Sequence, residues 1–423
     1  MRLVTPVRRP LLSAELRQSR LLQLAVLAAG PLLVSGVMWL ANIASGTAFA
    51  DGCGIGGVLI AAADQTGMLA ALDRLIPGLG TLSPPSSECH SVPFSADLPN
   101  MVLSVTAGLS VSIYVVFNLR LGILREQLET SGLISRSSLE RAGLTDFLDS
   151  GRPRSRHEAL ENTVLIVLSV VGSAAMYYWL YTQGPIFRDL AGSYTHMGSA
   201  GVTTEELRQN WWANHTTHPL NTALGIGVGA IGLFFALKQR TVFVAIGRWM
   251  RRLRSAPRPV DFVPKWLDRD YGWRPVSGLV TLGYLAIFTF LASFSAALYA
   301  LRSDQPGVSR LLSVLLGVIA LVAAVTNGVF IVTLISSIRR IFAASVAYER
   351  ARILAALRGA DLPTARRRRH GLDRLYLLTE GSNLADVPNY PISGRWFRFL
   401  GVLPAFLGAL WTFGNEVGRA FGI

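Results

Sequence analysis

The sequence predicts an all-α fold, a polytopic bundle of transmembrane helices, and three observations carry that prediction. Hydrophobic residues make up 51% of the 423 residues and charged ones only 16%, with a mean hydropathy of +0.41, too apolar for a soluble chain of this length. The apolar residues gather into long runs free of charge. The polar segments between those runs alternate between arginine-rich and acidic or balanced, as the positive-inside rule requires of a chain that crosses a membrane repeatedly.

The clearest runs are Val276–Leu301 and Leu311–Ile338, joined by the short polar link Arg302–Arg310. As helices each reaches ~40 Å, more than the ~30 Å hydrocarbon core, and together they read as a membrane hairpin around which the chain is organised. Ahead of them come Leu21–Ile43, Met101–Leu119, Thr163–Tyr181 and Pro219–Leu237, giving six expected spans. The final apolar stretch, 399–417, contains Pro404 and is expected as a seventh, with an interfacial or re-entrant helix as the alternative. Ala48-Phe49-Ala50 has the small-x-small form of a signal-peptidase site, but the run before it is longer than a signal core, so an uncleaved first helix is expected.

The layout then assigns every connection. Residues 1–20, 120–162, 238–275 and 339–398 are rich in arginine and are placed in the cytosol; residues 44–100 and 182–218 form two larger outer loops. Within them, Gly57–Ile76 reads as an amphipathic surface helix and Ser137 with Glu140 as a capping box. Thr241–Leu253 alternates apolar and basic residues and is expected to lie along the inner membrane surface. Tyr348–Leu357 is expected to carry the sixth helix onward as a partner-binding face. All but Lys238 and Lys265 of the 40 basic residues are arginine, a bias that points to a GC-rich bacterial genome and hence to a bacterial inner membrane.

Cys53 and Cys89 are the only cysteines and both fall in the first outer loop, where an oxidising space would allow a disulfide; two unpaired thiols are the alternative. Polar groups inside the bilayer are few. Asn327 and Thr326 are the notable ones, read as an interhelical hydrogen bond before a substrate contact. Gly227-x-Gly229-x-x-Gly232 matches the dinucleotide fingerprint in form, yet it sits inside an apolar helix with no preceding strand, so close helix packing is expected. His196, His215 and His218, with Glu205 and Glu206, are the weak candidates for a metal site, His215 and His218 sharing a face if helical. Beside them, Trp211-Trp212 reads as an interfacial anchor, and Asn214-His215-Thr216 matches a glycosylation sequon. Arg366, Arg367, Arg368 and Arg369 suit anionic lipid headgroups or a protein partner better than nucleic acid, since no aromatic interleaving accompanies them.

Asp268-Arg269-Asp270-Tyr271-Gly272-Trp273-Arg274-Pro275 resembles a loop of uncharacterised bacterial multi-spanning inner-membrane proteins, in which an acidic, glycine-containing turn directly precedes a span. Their last apolar segment follows an aromatic-proline element, similar to Asn389-Tyr390-Pro391 here. The proline-aspartate and double glycine of that pattern are missing. The resemblance covers at most the second half of the chain; it implies the same layout and a seventh span, and no activity.

The sequence carries no nucleophile elbow, P-loop, kinase signature or glycosidase carboxylate pair, and no cofactor motif. The expectation is a non-enzymatic sensor, scaffold or assembly component that engages lipid or a partner through basic cytosolic segments. A permease or channel for a neutral or anionic solute is the alternative, and a lipid-interface enzyme using the outer-loop histidines the third.

Overall fold

The computed structural model describes residues 20–50, 53, 89–130, 156–184, 187–188, 191, 202–255, 273–301 and 333–355. The described chain is helical, with a single isolated bridge between Val92 and Trp211 and no strand among the described residues. Its elements are α1 (Arg20–Ala44), a 3-10 turn (Phe94–Ala96), α2 (Leu98–Thr130), α3 (Arg156–Gln183), the short α4 (Thr204–Gln209), α5 (Pro219–Ser255), α6 (Arg274–Leu301) and α7, helical over 333–355. Five of these are long and apolar enough to cross a membrane: Leu21–Ala44, Leu98–Leu121, Leu160–Thr182, Pro219–Arg240 and Pro275–Phe294. The expected sixth span falls outside the described residues except for 333–338, and 399–417 lies wholly outside them, as do Gly57–Ile76 and the Ser137–Glu140 box.

Local sequence explains the helix ends. α1 stops at Ala44 because Gly46 takes a positive φ of 72°, which turns the chain back and lets Thr47 N–H donate to the Asn42 carbonyl at 2.8 Å. Thr203 caps α4 by accepting from Glu206 N–H at 3.1 Å, with Glu205 and Glu206 in the first turn and Arg208 in the last, matching the helix dipole. Pro219 opens α5, where its missing N–H costs nothing.

Surface exposure shows what surrounds the bundle. α1 leaves Leu32 73% and Leu33 67% exposed, and α3 leaves Val171 61% exposed. Such faces are costly in water and cost-free against lipid tails, so the five apolar helices suggest a membrane-embedded, multi-pass protein.

Among the described helices the bundle is built around α2; most of the second half of the expected hairpin lies outside the described residues. Half of the spanning window of α2 is buried, against 6% for α1 and 11% for α3, and α2 packs on α1, α5 and α6. The α1–α2 crossing is closest at Gly30 and Gly108: a Cβ on either would run into the other's carbonyl. Ser112 seals it by donating to the Val26 carbonyl at 2.7 Å. In lipid, where hydrophobicity does not drive helices together, such close backbone approach is what holds them. Gly108→Ala is therefore expected to lower stability by about 1–3 kcal/mol in a detergent melt, whereas Gly36→Ala, with nothing within 4 Å of its Cβ, serves as the neutral control.

Two glycines of α5 behave likewise, while Gly227 has nothing within 4 Å of its Cβ position. A Cβ at Gly229 would strike Ser173 of α3, whose hydroxyl donates to the Ile226 carbonyl at 2.7 Å, and a Cβ at Gly232 would lie 2.9 Å from Ala107. Helix packing is what that glycine pattern serves.

The expected spans end too early at one end of the bundle. α2 runs on to Thr130 and α5 to Ser255, so α5 with 37 residues reaches ~55 Å. Thr241–Leu253 does not form a separate surface helix; it continues α5 and buries Phe243, Ile246 and Met250. Their partners are Leu124 and Leu128 of α2, Trp273 before α6, and Ile341, Phe342 and Val346 of α7, all in one apolar core. The amphipathic pattern is real, but other helices cover it. This end is the stalk, and its surface is basic.

Two polar contacts mark where the apolar helices give way to it. Arg120 donates through Nε (2.9 Å) and Nη2 (2.6 Å) to Oε1 of Gln23, across the α1–α2 seam, while its guanidinium lies over Gly278 of α6. Lys238 meets Glu161 at 3.8 Å, joining α5 to α3.

Candidate functional site

At the opposite end, α1 and α3 finish while α2 and α5 begin, and the chain segments between them knit into a cap. Residues 47–48 pair with 94–95: Phe94 N–H donates to the Thr47 carbonyl (2.9 Å) and Ser95 N–H to the Ala48 carbonyl (3.0 Å). Val92 N–H donates to the Asn210 carbonyl (3.2 Å), and its own carbonyl accepts from Trp212 N–H (3.0 Å). Cys53 and Cys89 are disulfide-bonded, with Cα atoms 4.8 Å apart, and both are buried. The described parts of the two expected outer loops therefore pack together.

Asp97 lies at its centre. It is 0% exposed and is the residue just before α2. One carboxylate oxygen, Oδ1, accepts from the backbone N–H of Asn100 at 3.2 Å, which caps the helix. The other, Oδ2, accepts from the indole N–H of Trp212 at 2.8 Å, that of Trp211 at 3.1 Å and the Asn100 amide at 2.7 Å. Burial pushes the carboxyl above its ordinary range, and the donors of Trp212, Asn100 and Trp211 pull it partly back. Because the folded value lies above that of the unfolded chain, Asp97's contribution to stability is fully present below the ordinary carboxylate range and is lost as pH rises through the raised value. The melting temperature is expected to fall across that interval in pH-dependent melts, and Asp97→Asn, which does not titrate, to remove that part of the slope.

An aromatic ladder passes through the same point. Trp39 of α1 meets Phe94 edge-on at 5.1 Å, Phe94 meets Trp212 at 5.0 Å, and Trp212 meets Trp211 at 5.7 Å. Trp211 then stacks on Tyr177 of α3 at 5.5 Å, whose hydroxyl donates to the Ala213 carbonyl at 2.7 Å. These contacts link α1 to α3 across the cap. Trp211 and Trp212 are 1% and 2% exposed, so they do not act as interfacial anchors: their N–H groups are committed to Asp97 and their rings to the core.

A second polar cluster joins α1 to α5. The two protons of the Asn221 amide are shared among Ser45 Oγ (2.8 Å), Thr47 Oγ1 (2.9 Å), the Trp212 carbonyl (3.1 Å) and Asn42 Oδ1 (3.3 Å). Thr47 Oγ1 donates to Asn42 Oδ1 at 2.7 Å, while Asn221 Oδ1 receives no hydrogen bond. Asn214 is 1% exposed and spends its amide on the Gln209 and Arg208 carbonyls, at 2.9 and 3.3 Å. The sequon is thus a turn whose asparagine is buried, closed by Thr216 N–H on Asn214 Oδ1 at 2.8 Å, so the side chain that glycosylation needs is withheld from solvent.

The candidate metal residues do not converge where they can be followed. His215 and His218 precede α5 in a turn instead of sharing a helical face, because Pro219 starts the helix after them. His215 packs edge-on against Tyr181 at 4.8 Å. Glu205 holds Arg208 at 2.8 Å, and Glu206 meets His90 at 3.2 Å. Among the described residues no group of three His, Cys, Asp or Glu side chains could hold a metal ion. His196, Thr326, Asn327 and Arg366–Arg369 lie outside the described residues.

Asp97 carries no functional motif that sets it apart from other loop acids in the sequence. The signal that could have found it is local: an aspartate followed three residues later by Asn100, just before an apolar run, is a helix start. Its indole partners lie 114 and 115 residues away. No family model matches the chain, and neither a curated protein nor a solved structure resembles it significantly.

Proposed function

We propose that this chain is a non-enzymatic, multi-pass protein of a bacterial inner membrane, a scaffold or assembly component whose basic side faces the cytosol. The layout proposed is six spans, with 399–417 as a seventh. The observation that carries the reading is the contrast between the two ends. The cap draws its carboxylate, indoles and amides onto one another and keeps them from solvent, which suits a structural lid better than a reactive site. The stalk instead extends α2 and α5, with α7 beside them, into a packed, arginine-bearing bundle.

Orientation follows from charge. Arg20, Arg120, Arg240 and Arg274 stand at or beside span ends on the stalk side, which the positive-inside rule places in the cytosol. Anionic headgroups are the lipid partners that such a belt attracts. Mild-detergent affinity purification tests the scaffold role: a protein partner should copurify with the full chain and be lost when Tyr348–Arg398 is excised. An unchanged set of copurifying proteins would remove the reading.

A further inference from the structure

The small-x-small motif Ala48-Phe49-Ala50 stands just beyond the end of α1, and the scaffold reading gives it no task. A signal peptidase takes such a motif as an extended strand, with its two small side chains in pockets and its carbonyls free to pair with the enzyme. Gly46 turns the chain out of α1, and residues 47–50 are not helical. The cap holds that stretch closed. The Thr47 and Ala48 carbonyls accept from Phe94 N–H (2.9 Å) and Ser95 N–H (3.0 Å), and the Ala50 carbonyl from Cys53 N–H (3.2 Å). Ala48 is 3% exposed, so its methyl has no route into an enzyme pocket. Phe49, the position that the motif leaves free, is exposed and rests on Trp39 at 5.5 Å.

The groups that close this arrangement come late in the chain. Phe94, paired with Thr47, is held in place by Trp212 at 5.0 Å. Asn221, 174 residues after Thr47, donates to its hydroxyl at 2.9 Å. Until those residues dock, the motif is an unpaired strand; once they dock, cutting requires the cap to open, and its rate follows the fraction of chains in which it is open.

We infer that Ala48-Phe49-Ala50 is a latent processing site: a membrane-bound signal peptidase cuts after Ala50 in chains whose cap has not closed, and closed chains keep α1. Water is the co-reactant, and hydrolysis of that peptide bond leaves a carboxylate on Ala50 and an amine on the next residue. The cut separates α1, with its Gly30–Gly108 crossing, from the rest of the chain, so only chains that close the cap keep the bundle whole. The inference rests on the outward cap of the proposed reading, since signal peptides are cut on the outer side of the membrane.

The test treats the full-length protein in mild detergent, where sidedness plays no part, with a purified bacterial signal peptidase, and reads the products by intact mass. The parent is expected to stay whole. Cys53→Ser/Cys89→Ser and Asp97→Ala, which loosen the cap at separate points, should be cut after Ala50 at least about tenfold faster. Adding Ala50→Leu to either should abolish the cut. Cutting of the parent as fast as of both variants, no cutting of either variant, or a cut that survives Ala50→Leu overturns the inference. Cutting of the loosened variants in detergent but not in living bacteria refutes the outward cap; no cutting in detergent, with the cap shown to face outward by labelling, refutes the site alone.

Discussion

Asp97→Ala is expected to destabilise the protein by about 3–7 kcal/mol. The indole N–H groups of Trp211 and Trp212 are buried at 1% and 2% exposure, and alanine leaves both without an acceptor. Each such loss costs about 1–3 kcal/mol, and loss of the helix cap at Asn100 adds about 1 more. Asp97→Asn separates the causes. With its oxygen turned toward the two indoles and the Asn100 amide, it keeps three bonds and gives up the cap, so about 1–2 kcal/mol is expected. Thermal unfolding in mild detergent reads the order. Equal loss in the two variants would mean that the charge or the cap, which both variants lose, matters more than the acceptor retained for the indoles.

The second large effect belongs to the disulfide. Cys53 and Cys89 are 36 residues apart, and closing a loop of that length removes about 3–4 kcal/mol of chain entropy from the unfolded state. The doubly substituted Cys53→Ser/Cys89→Ser protein should lose roughly that much. Because both sulfurs are buried, mild reductant should leave the folded protein unreduced, and two thiols should become alkylatable only after unfolding. Ready alkylation of the folded, unreduced protein would show that the bridge is absent.

What could be read from sequence, and what could not, divides along one physical line. Apolar runs report contact with lipid, so the spans starting at Leu21, Leu160, Pro219 and Pro275 lie close to where hydropathy puts them. Runs end at the first polar residues, however, and helices need not. Arg120 looks like a stop and is in fact bonded to Gln23, a partner 97 residues earlier in the chain. The arginines between Thr241 and Leu253 look like a surface helix, yet its apolar face finds α2 and α7 instead of headgroups. The cap was illegible for the same reason: a loop aspartate and a tryptophan pair each have an ordinary solvent or interface role until folding brings them together. Glycine spacing in α5 was legible at Gly229 and Gly232, where close packing on α3 and α2 leaves no room for a Cβ.

The central claim is that the cap faces outward and the stalk faces the cytosol of one membrane-embedded chain. Single cysteines at Thr217, exposed beside the cap, and at Ala351, exposed on the stalk, test it most directly, since the native pair is bridged and silent. In intact cells with a permeabilised outer layer, a membrane-impermeant maleimide should label Thr217→Cys at once and Ala351→Cys only after the inner membrane is opened. The reverse order, or both sites labelled together before opening, would contradict the account.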